Sequence, residues 1–328
     1  ATQLDAPKRA RLALDRAAEL RADDPRVLRQ LAQLSDDDSD WNQSVELRAR
    51  AAAAEPSEDS SSLLVEIGNI QEKRKYDDDE ALVAFESALK ADPNSLEAVR
   101  GAARIFRKKG NHTDLLRLLR RELELVTEAR DVAGTHLDIA RTLRQLEEPI
   151  ELALAAYRQV LKLEPENAAA LDGVEEVARE LRRFDVIVEA FRDAPQTQAN
   201  LAVLAEALQE LEQWKEFADV RHKEAALRED TSERSRLLGD LARIYENELC
   251  DLEAATKVHR EILAFNPAWH VSQDAVARLL EVQQSWPDLE AAWADELSRL
   301  GEEDTDKKIS LHLRIGDLRE RRLQDVEG

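Results

Sequence analysis

The feature that most constrains the fold of this chain is a proline that recurs at regular distances. It follows stretches rich in Ala and Leu, at Pro25, Pro56, Pro93, Pro165 and Pro267. Pro93 and Pro165 are 72 residues apart, and Pro165 and Pro267 are 102 apart; these distances equal two and three units of roughly 34 to 36 residues. Because proline lacks the N–H donor and clashes with the preceding turn, each one ends a helix. The spacing therefore predicts a repeated helical unit.

The residues before these prolines repeat as well. A small residue, a larger one and an apolar one precede the proline at a fixed spacing, and the copies are Ala81, Phe85 and Ala88; Ala153, Tyr157 and Val160; Ala255, His259 and Ile262; and, more weakly, Ala13, Ala17 and Leu20. Steps of four and three residues place each set on one stripe of a helix. We expect the small residue to let two helices approach closely, while the larger one fills the gap beside it.

The helix before this one carries a second recurring pattern, in which a small residue directly follows a large apolar one. The copies are Ile67-Gly68, Ile139-Ala140 and Leu241-Ala242. An aromatic residue or His often stands three residues before the small position of the next helix, at Trp41, His112, Phe184, Trp214 and Trp286. This arrangement predicts a helical hairpin whose junction is filled by a ring.

Together these residues resemble the tetratricopeptide repeat, whose pattern is W-x2-L-G-x2-Y, then A-x3-F, then P. The resemblance covers nearly the whole chain, although the unit at about 198–230 departs from it with Phe217 and Arg221 in the small and aromatic positions. It implies an all-α, right-handed superhelical solenoid of antiparallel helix pairs, with about eight to nine repeats. Other two-helix repeats with periods near 40 residues are the alternative.

The pattern predicts a single continuous array over residues 1–328. First helices are expected to start near residues 24, 60, 95, 133, 168, 198, 233, 270 and 306. Residues 6–22 resemble a second helix without its first, residues 306–323 resemble a first helix without its second, and Met is absent. We therefore expect an internal piece of a longer array. A fraying helix or a self-association contact would also account for uncapped ends.

Composition narrows the function classes. The net charge of −22 disfavours binding to nucleic acid or to an anionic membrane surface, and no apolar run is long enough to insert into a membrane. The single cysteine, Cys250, excludes an intrachain disulfide and fits a cytoplasmic location, with a periplasmic one left open. Arg is about three times as frequent as Lys, which is typical of a GC-rich bacterial source.

The sequence offers no support for an enzyme, a cofactor or a metal site. It contains no phosphate-binding glycine loop, no nucleophile elbow and no H-E-x-x-H pair. Its six His residues are scattered, and His112, His136 and His259 fall on framework positions, which favours core packing for them. We expect Cys250 to lie in a turn between helices without a chemical role.

A basic cluster on the predicted first helices is the candidate binding site. In proteins with this resemblance the ligand contacts the first helix of each repeat, and there the sequence presents Asn69, Arg100, Arg104, Arg107, Lys108, Arg141 and Arg144. Arginine donates two parallel hydrogen bonds to a carboxylate, so we expect an acidic segment of a partner protein. The alternative is a solvated face that pairs with nearby Glu. Gly68-Asn69 is similar to the start of a carboxylate clamp, but Val65 stands where that clamp needs a basic residue.

These observations predict a protein–protein interaction scaffold that binds a partner segment in its concave groove. A regulatory or sensor repeat domain of a larger effector protein is the alternative function, and only the full-length sequence would separate the two. RNA binding is disfavoured by the net charge. The partners expected are a protein or peptide, with no nucleic acid, no membrane insertion and self-association as a further option.

Overall fold

The computed structural model describes residues 6–54, 57–146 and 148–323. These ranges form α-helices joined by short turns, with π-helical segments at Gln71–Lys75 and Arg319–Leu323, and contain no strand. The first ten helices are α1 Ala6–Leu20, α2 Pro25–Asp37, α3 Trp41–Ala54, α4 Ser57–Ile70, α5 Asp78–Ala91, α6 Leu96–Lys109, α7 His112–Leu125, α8 Ala129–Leu143, α9 Ile150–Leu163 and α10 Ala168–Glu180. The others are α11 Phe184–Phe191, α12 Gln198–Glu210, α13 Trp214–Ala226, α14 Thr231–Asn247, α15 Leu252–Phe265, α16 His270–Val282, α17 Trp286–Arg299 and α18 Thr305–Leu318.

The helices form two compact units, one up to Val177 and the other from Ala178. In the first unit successive helices pack against each other from the pair α1 and α2 to the pair α8 and α9. In the second unit they do so from the pair α11 and α12 to the pair α17 and α18. Because only a few residues join successive helices, the two helices of each pair run antiparallel. Both units are therefore built from consecutive helix hairpins, as expected; a single continuous array over residues 1–328 stays a prediction.

The predicted first helices are the even-numbered helices α2 to α18, and each begins within about four residues of its expected start. Three of the recurring prolines act as expected: α5 ends two residues before Pro93, α9 two before Pro165 and α15 two before Pro267, whereas Pro25 is the first residue of α2. Pro56 lies outside the described residues. Side chains cap the helix starts, as where Ser95 accepts a hydrogen bond from the Ala98 amide at the start of α6.

The turn inside most hairpins contains one residue in the left-handed backbone region. These residues are Ser39, Tyr76, Gly110, Arg182, Glu212, Cys250 and Gln284. A left-handed residue just past a helix satisfies the last carbonyl groups and lets the chain reverse. Gly110 is the only glycine among them, and Cys250 lies in such a turn and is exposed, which agrees with the sequence interpretation.

The small and large positions of the repeat pack as the sequence predicts. The ring of Phe85 is fully buried between α4 and α6. A methyl group added at Gly68 would lie 2.6 Å from the Phe85 Cε1 atom, and one added at Gly101 would lie closer still. Gly173 stands against the Tyr157 ring in the same way. The repeat junction therefore depends on glycine on one helix and an aromatic ring on its neighbour.

Candidate functional site

The candidate site is an open cleft of about 520 Å³ between α6, α7 and α8 in the first unit. Its apolar lining comes from Ala103, Leu119 and Leu137, and Gly134 adds space because nothing lies within 4 Å of where its Cβ would be. Four guanidinium groups surround this lining; they belong to Arg100, Arg104, Arg107 and Arg130. The carboxylates of Glu122, Asp131 and Asp138 lie among them.

Arg100 connects three helices across the cleft. Its Nε donates to Glu122 on α7 at 2.5 Å, and its Nη2 donates to Asp131 on α8 at 2.8 Å. The hydrogen bonds to Asp131 and then to Glu122 raise the pKa of Arg100. Arg100 and Asp131 are each about two-fifths exposed, whereas Glu122 is nearly buried. The Asp131 half of this network is therefore the part that solvent, or a ligand, can reach.

Two further arginines of the predicted set line the cleft and are also paired. Arg107 donates to Asp138 on α8 at 2.5 Å. Arg104 donates to Glu72 at 2.8 Å and to the Asn69 side-chain oxygen at 3.2 Å. The Arg104 guanidinium also stands over the Phe85 ring, 5.9 Å from its centroid. Intramolecular carboxylates thus already occupy these arginines, as the solvated-face alternative expected.

The other predicted residues lie outside the cleft lining. Lys108 pairs with Asp78 on α5 at 2.7 Å, and Asn69 contacts the cleft only through Arg104. Arg144 pairs with Glu176 on α10 at 2.7 Å. Arg141 is exposed and forms no ion pair within the described ranges. The structure therefore brings together Arg100, Arg104 and Arg107, while the binding role of the whole set stays a prediction.

Sequence reasoning missed Arg130, which lines the same cleft and has no ion-pair partner in the part of the chain that the structure describes. It also missed the three carboxylates. The available signal was spacing: Asp131 follows Arg100, and Asp138 follows Arg107, by 31 residues. This is close to one repeat, so the paired residues occupy neighbouring positions on successive first helices.

An ion pair over the aromatic position recurs along the chain. Glu72 and Arg104 form it beside Phe85, and Glu246 and Arg278 form it beside His259 at 2.7 Å. In each case one residue comes from the first helix of the repeat and the other from the next first helix. Arg144 and Glu176 form the same pair near Tyr157 with the charges reversed. An ion pair thus joins neighbouring repeats, and either of the two first helices can supply its arginine.

Two histidines have perturbed environments. His259 is buried, as the sequence predicts, and its Nδ1 lies 2.9 Å from the Ser272 hydroxyl oxygen. Burial lowers the pKa of His259, and it also lowers the pKa of His136, which is half-buried. His112 is half-buried as well. Within the described ranges no three His, Cys, Asp or Glu side chains are placed to share a metal ion.

No protein-family model matches the chain, and no curated protein matches it in sequence. Among solved structures, YrrB, a TPR protein with an unusual peptide-binding site, is 17% identical with a TM-score of 0.43, over 62% of this chain and 98% of its own. A tetratricopeptide repeat protein from Parabacteroides merdae is 16% identical with a TM-score of 0.40, over 78% and 98%.

A third similar structure is the C-terminal part of a TPR repeat-containing protein from Cytophaga hutchinsonii, which is 13% identical with a TM-score of 0.41, over 84% of this chain and 96% of its own. With TM-scores below 0.5, these likenesses do not bear on the binding site. The class follows from the helix hairpins, their period and the glycine–ring junctions. This chain is an all-α protein built from repeated helix hairpins, and its repeat resembles the tetratricopeptide pattern. Among its described residues, no helix combines the length and apolarity that a bilayer span requires.

Proposed function

We propose that this chain is a protein–protein interaction scaffold, and that the cleft between α6 and α8 binds a partner segment that carries acidic side chains. The observation behind the proposal is the concentration of four guanidinium groups around an apolar lining, in a chain whose net charge is −22. An acidic residue of the partner would bind at the rim while an apolar neighbour contacts Leu137, which is partly exposed.

The internal carboxylates stand in for those of the partner. Asp131 and Asp138 are substantially exposed, and exposed ion pairs contribute only about 0.2–1 kcal/mol each. A partner carboxylate can therefore replace them at small cost. Arg130 needs no such exchange, because it has no ion-pair partner among the described residues. Glu122 differs from both aspartates, since it is nearly buried and holds Arg100 in place.

The test uses a fluorescein-labelled peptide of alternating Asp and Leu and measures its Kd by fluorescence anisotropy. We expect the double variant Arg107→Glu with Arg130→Glu to weaken binding at least tenfold, because it reverses two charges at the rim. Asp138→Asn should strengthen binding, because it removes the carboxylate that competes for Arg107. A purely structural ion pair would give no such gain.

Arg236→Glu is the matched control, since Arg236 is exposed on α14 in the second unit and has no ion-pair partner in the described ranges. It reverses one charge far along the chain, where the double variant reverses two in the cleft, and it should leave the Kd unchanged. Equal affinity for the wild type and for the Arg107/Arg130 variant would contradict the proposal. The regulatory or sensor function within a larger effector stays an alternative prediction.

A further inference from the structure

The second helix α13 departs from the repeat at all three positions of the recurring stripe. Its small, ring and apolar positions hold Phe217, Arg221 and Glu224. Phe217 and Glu224 are buried, and the Arg221 side chain is only 14% exposed. The other second helices of this unit keep a buried ring at the middle position; these rings are Phe191 on α11, His259 on α15 and Trp293 on α17. In α13 a charged pair therefore takes the place of the ring and the apolar residue.

The charged pair of α13 is held within its own segment of the chain. Arg221 Nη1 donates to Glu224 at 2.7 Å, and the Arg221 guanidinium stands 5.0 Å from the centroid of the Phe217 ring. Arg228, just past the helix end, donates to the same carboxylate at 3.1 Å and reaches Glu233 on α14 only at 3.6 Å. Among the described residues, Arg221 thus forms no ion pair that joins α13 to another helix.

The ring position of α3 also holds an arginine, and its contacts show what α13 lacks. Each arginine stands seven residues after the tryptophan that begins its helix. Arg48 is buried; its Nε donates to Glu66 on α4 and its Nη2 to Asp36 on α2, both at 2.6 Å. Arg48 therefore joins three helices, as the Phe85 ring does at its own junction. The Nε atom of Arg221, by contrast, is buried without a hydrogen-bond partner in the described part of the chain.

This difference lowers the cost of separating α13 from α14. Parting a junction that is closed by a ring transfers apolar surface to water, which is unfavourable. In the apolar cluster that it shares with α14, α13 contributes the alanines Ala218 and Ala225, so little apolar surface would be exposed there. Separation also hydrates Arg221 and Glu224, and it gives the unpaired Nε atom a partner. The ion pair and the stacking on Phe217 survive, because all three residues lie on one helix.

We propose that the junction between α13 and α14 is a hinge built into the second unit. The hairpins on either side keep their own packing and rotate against each other about this junction, which changes the angle between them without unfolding a helix. In a helical-repeat chain each hairpin contacts only its neighbours, so one weak junction is enough to bend the array. This inference does not depend on the function proposed for the cleft of the first unit.

The experiment measures the widths of nitroxide–nitroxide distance distributions by double electron–electron resonance. A Cys250→Ser background ensures that only introduced cysteines carry the label. One pair, Gln209→Cys with Arg243→Cys, spans the α13 junction; the other, Arg243→Cys with Glu281→Cys, spans the α15 junction. All three labelled positions are exposed. We expect the first distribution to be at least twofold broader than the second, and equal widths would overturn the proposal.

A variant that restores the repeat tests the cause of the difference. Phe217→Ala, Arg221→Tyr and Glu224→Val together give α13 the residues that α9 carries at these positions, and they should narrow the first distribution to the width of the second. Lys223→Gln, an exposed change on the same helix, is the control and should leave both widths unchanged. A triple variant that keeps its helical circular dichroism and stays as broad as the wild type would equally overturn the hinge. If the triple variant loses its helices, the two label pairs in the otherwise unchanged chain still decide the question.

Discussion

Two junctions of the molecule, one in each unit, place different rings at the same position of the repeat. In the first unit the position holds Phe85, which contacts carbon atoms and lies against two glycines. In the second unit it holds His259, whose Nδ1 lies 2.9 Å from Ser272 Oγ and whose Nε2 lies 3.8 Å from Glu246 Oε1. Both junctions hold a ring of similar shape at this position. The second junction adds a hydrogen bond and a side chain that can take up a proton.

The difference shows what the position demands and what it tolerates. At both junctions it holds a planar ring that is buried between two first helices. It tolerates a polar ring only where neighbouring groups satisfy the ring nitrogens, because a buried polar atom without a partner is costly. Ser272 does so for the Nδ1 atom of His259, while the Glu246 carboxylate lies 3.8 Å from Nε2 and is held there by Arg278. Four substitutions test this difference between the two junctions.

The largest effect is expected for Phe85→Ala. It removes a fully buried ring from between α4 and α6, and Gly68 and Gly101 have no side chains to fill the cavity. Truncation of a buried Phe typically costs about 3–5 kcal/mol. Urea unfolding followed by circular dichroism should show a lower transition midpoint for the first unit. His259→Ala should lower the urea midpoint of the second unit by a smaller amount, because a smaller ring is lost. An equal or larger decrease would contradict the difference between the two junctions.

The next largest effect on stability is expected for Gly101→Ala. The new methyl group would overlap the Phe85 ring, and overpacking of this kind costs about 1–3 kcal/mol. Alanine favours helix over glycine by about 1 kcal/mol, which offsets part of the loss. Gly134→Ala is the matched control, since nothing lies within 4 Å of its added Cβ, and it should stabilise the protein. If both variants moved the urea midpoint in the same direction, the close packing at Phe85 would be refuted.

The third prediction concerns pH. Burial lowers the pKa of His259 below the ordinary value of 6.5, so the unfolded chain binds more protons than the folded one as pH falls. Stability from this group is therefore full above pH 6.5 and declines as pH drops through 6.5 toward the folded pKa. His259→Phe should reduce this decline, measured as the urea midpoint between pH 7.5 and 5. The pKa of His136 is also lowered by burial, so part of the decline should remain.

The smallest effect is expected for Arg278→Gln. The ion pair with Glu246 is partly exposed, so its loss should cost less than about 1 kcal/mol. Without Arg278, Glu246 can pair with protonated His259, and the pKa of His259 should rise. An NMR titration of the His259 ring protons measures this directly. Arg104→Gln, the equivalent change beside Phe85, is the control and should leave that titration unchanged; an unchanged pKa in Arg278→Gln would show that Glu246 and His259 are not coupled.

Most of the fold could be predicted from the sequence, because the repeat is encoded locally. Proline positions set the ends of second helices, and small residues at fixed spacing set the helix contacts. The same reasoning identified Phe85, Tyr157 and His259 as equivalent rings. It could also place Arg100, Arg104 and Arg107 on one helix face, since that depends only on the helical period.

The candidate site was less predictable, because ion pairs between helices depend on how neighbouring helices are rotated. Nothing local in the sequence indicates that Asp131 faces Arg100 or that Asp138 faces Arg107. The left-handed turn residues were also missed, because apart from Gly110 they are not glycines.

The ion pairs between successive first helices have a mechanical consequence. They connect α6 to the segment after α4 through Glu72 and Arg104, and α6 to α8 through Arg107 and Asp138. Apolar contacts hold the helices of each hairpin together, and Phe85 also packs against Gly101 of the next hairpin. Salt screens exposed charge pairs but does not weaken apolar packing. Within the first unit, raising the ionic strength should therefore soften the links between hairpins and leave each hairpin stiff. The hairpins of the first unit would then move more freely against one another at high salt, within the limit that the packing of Phe85 against Gly101 sets.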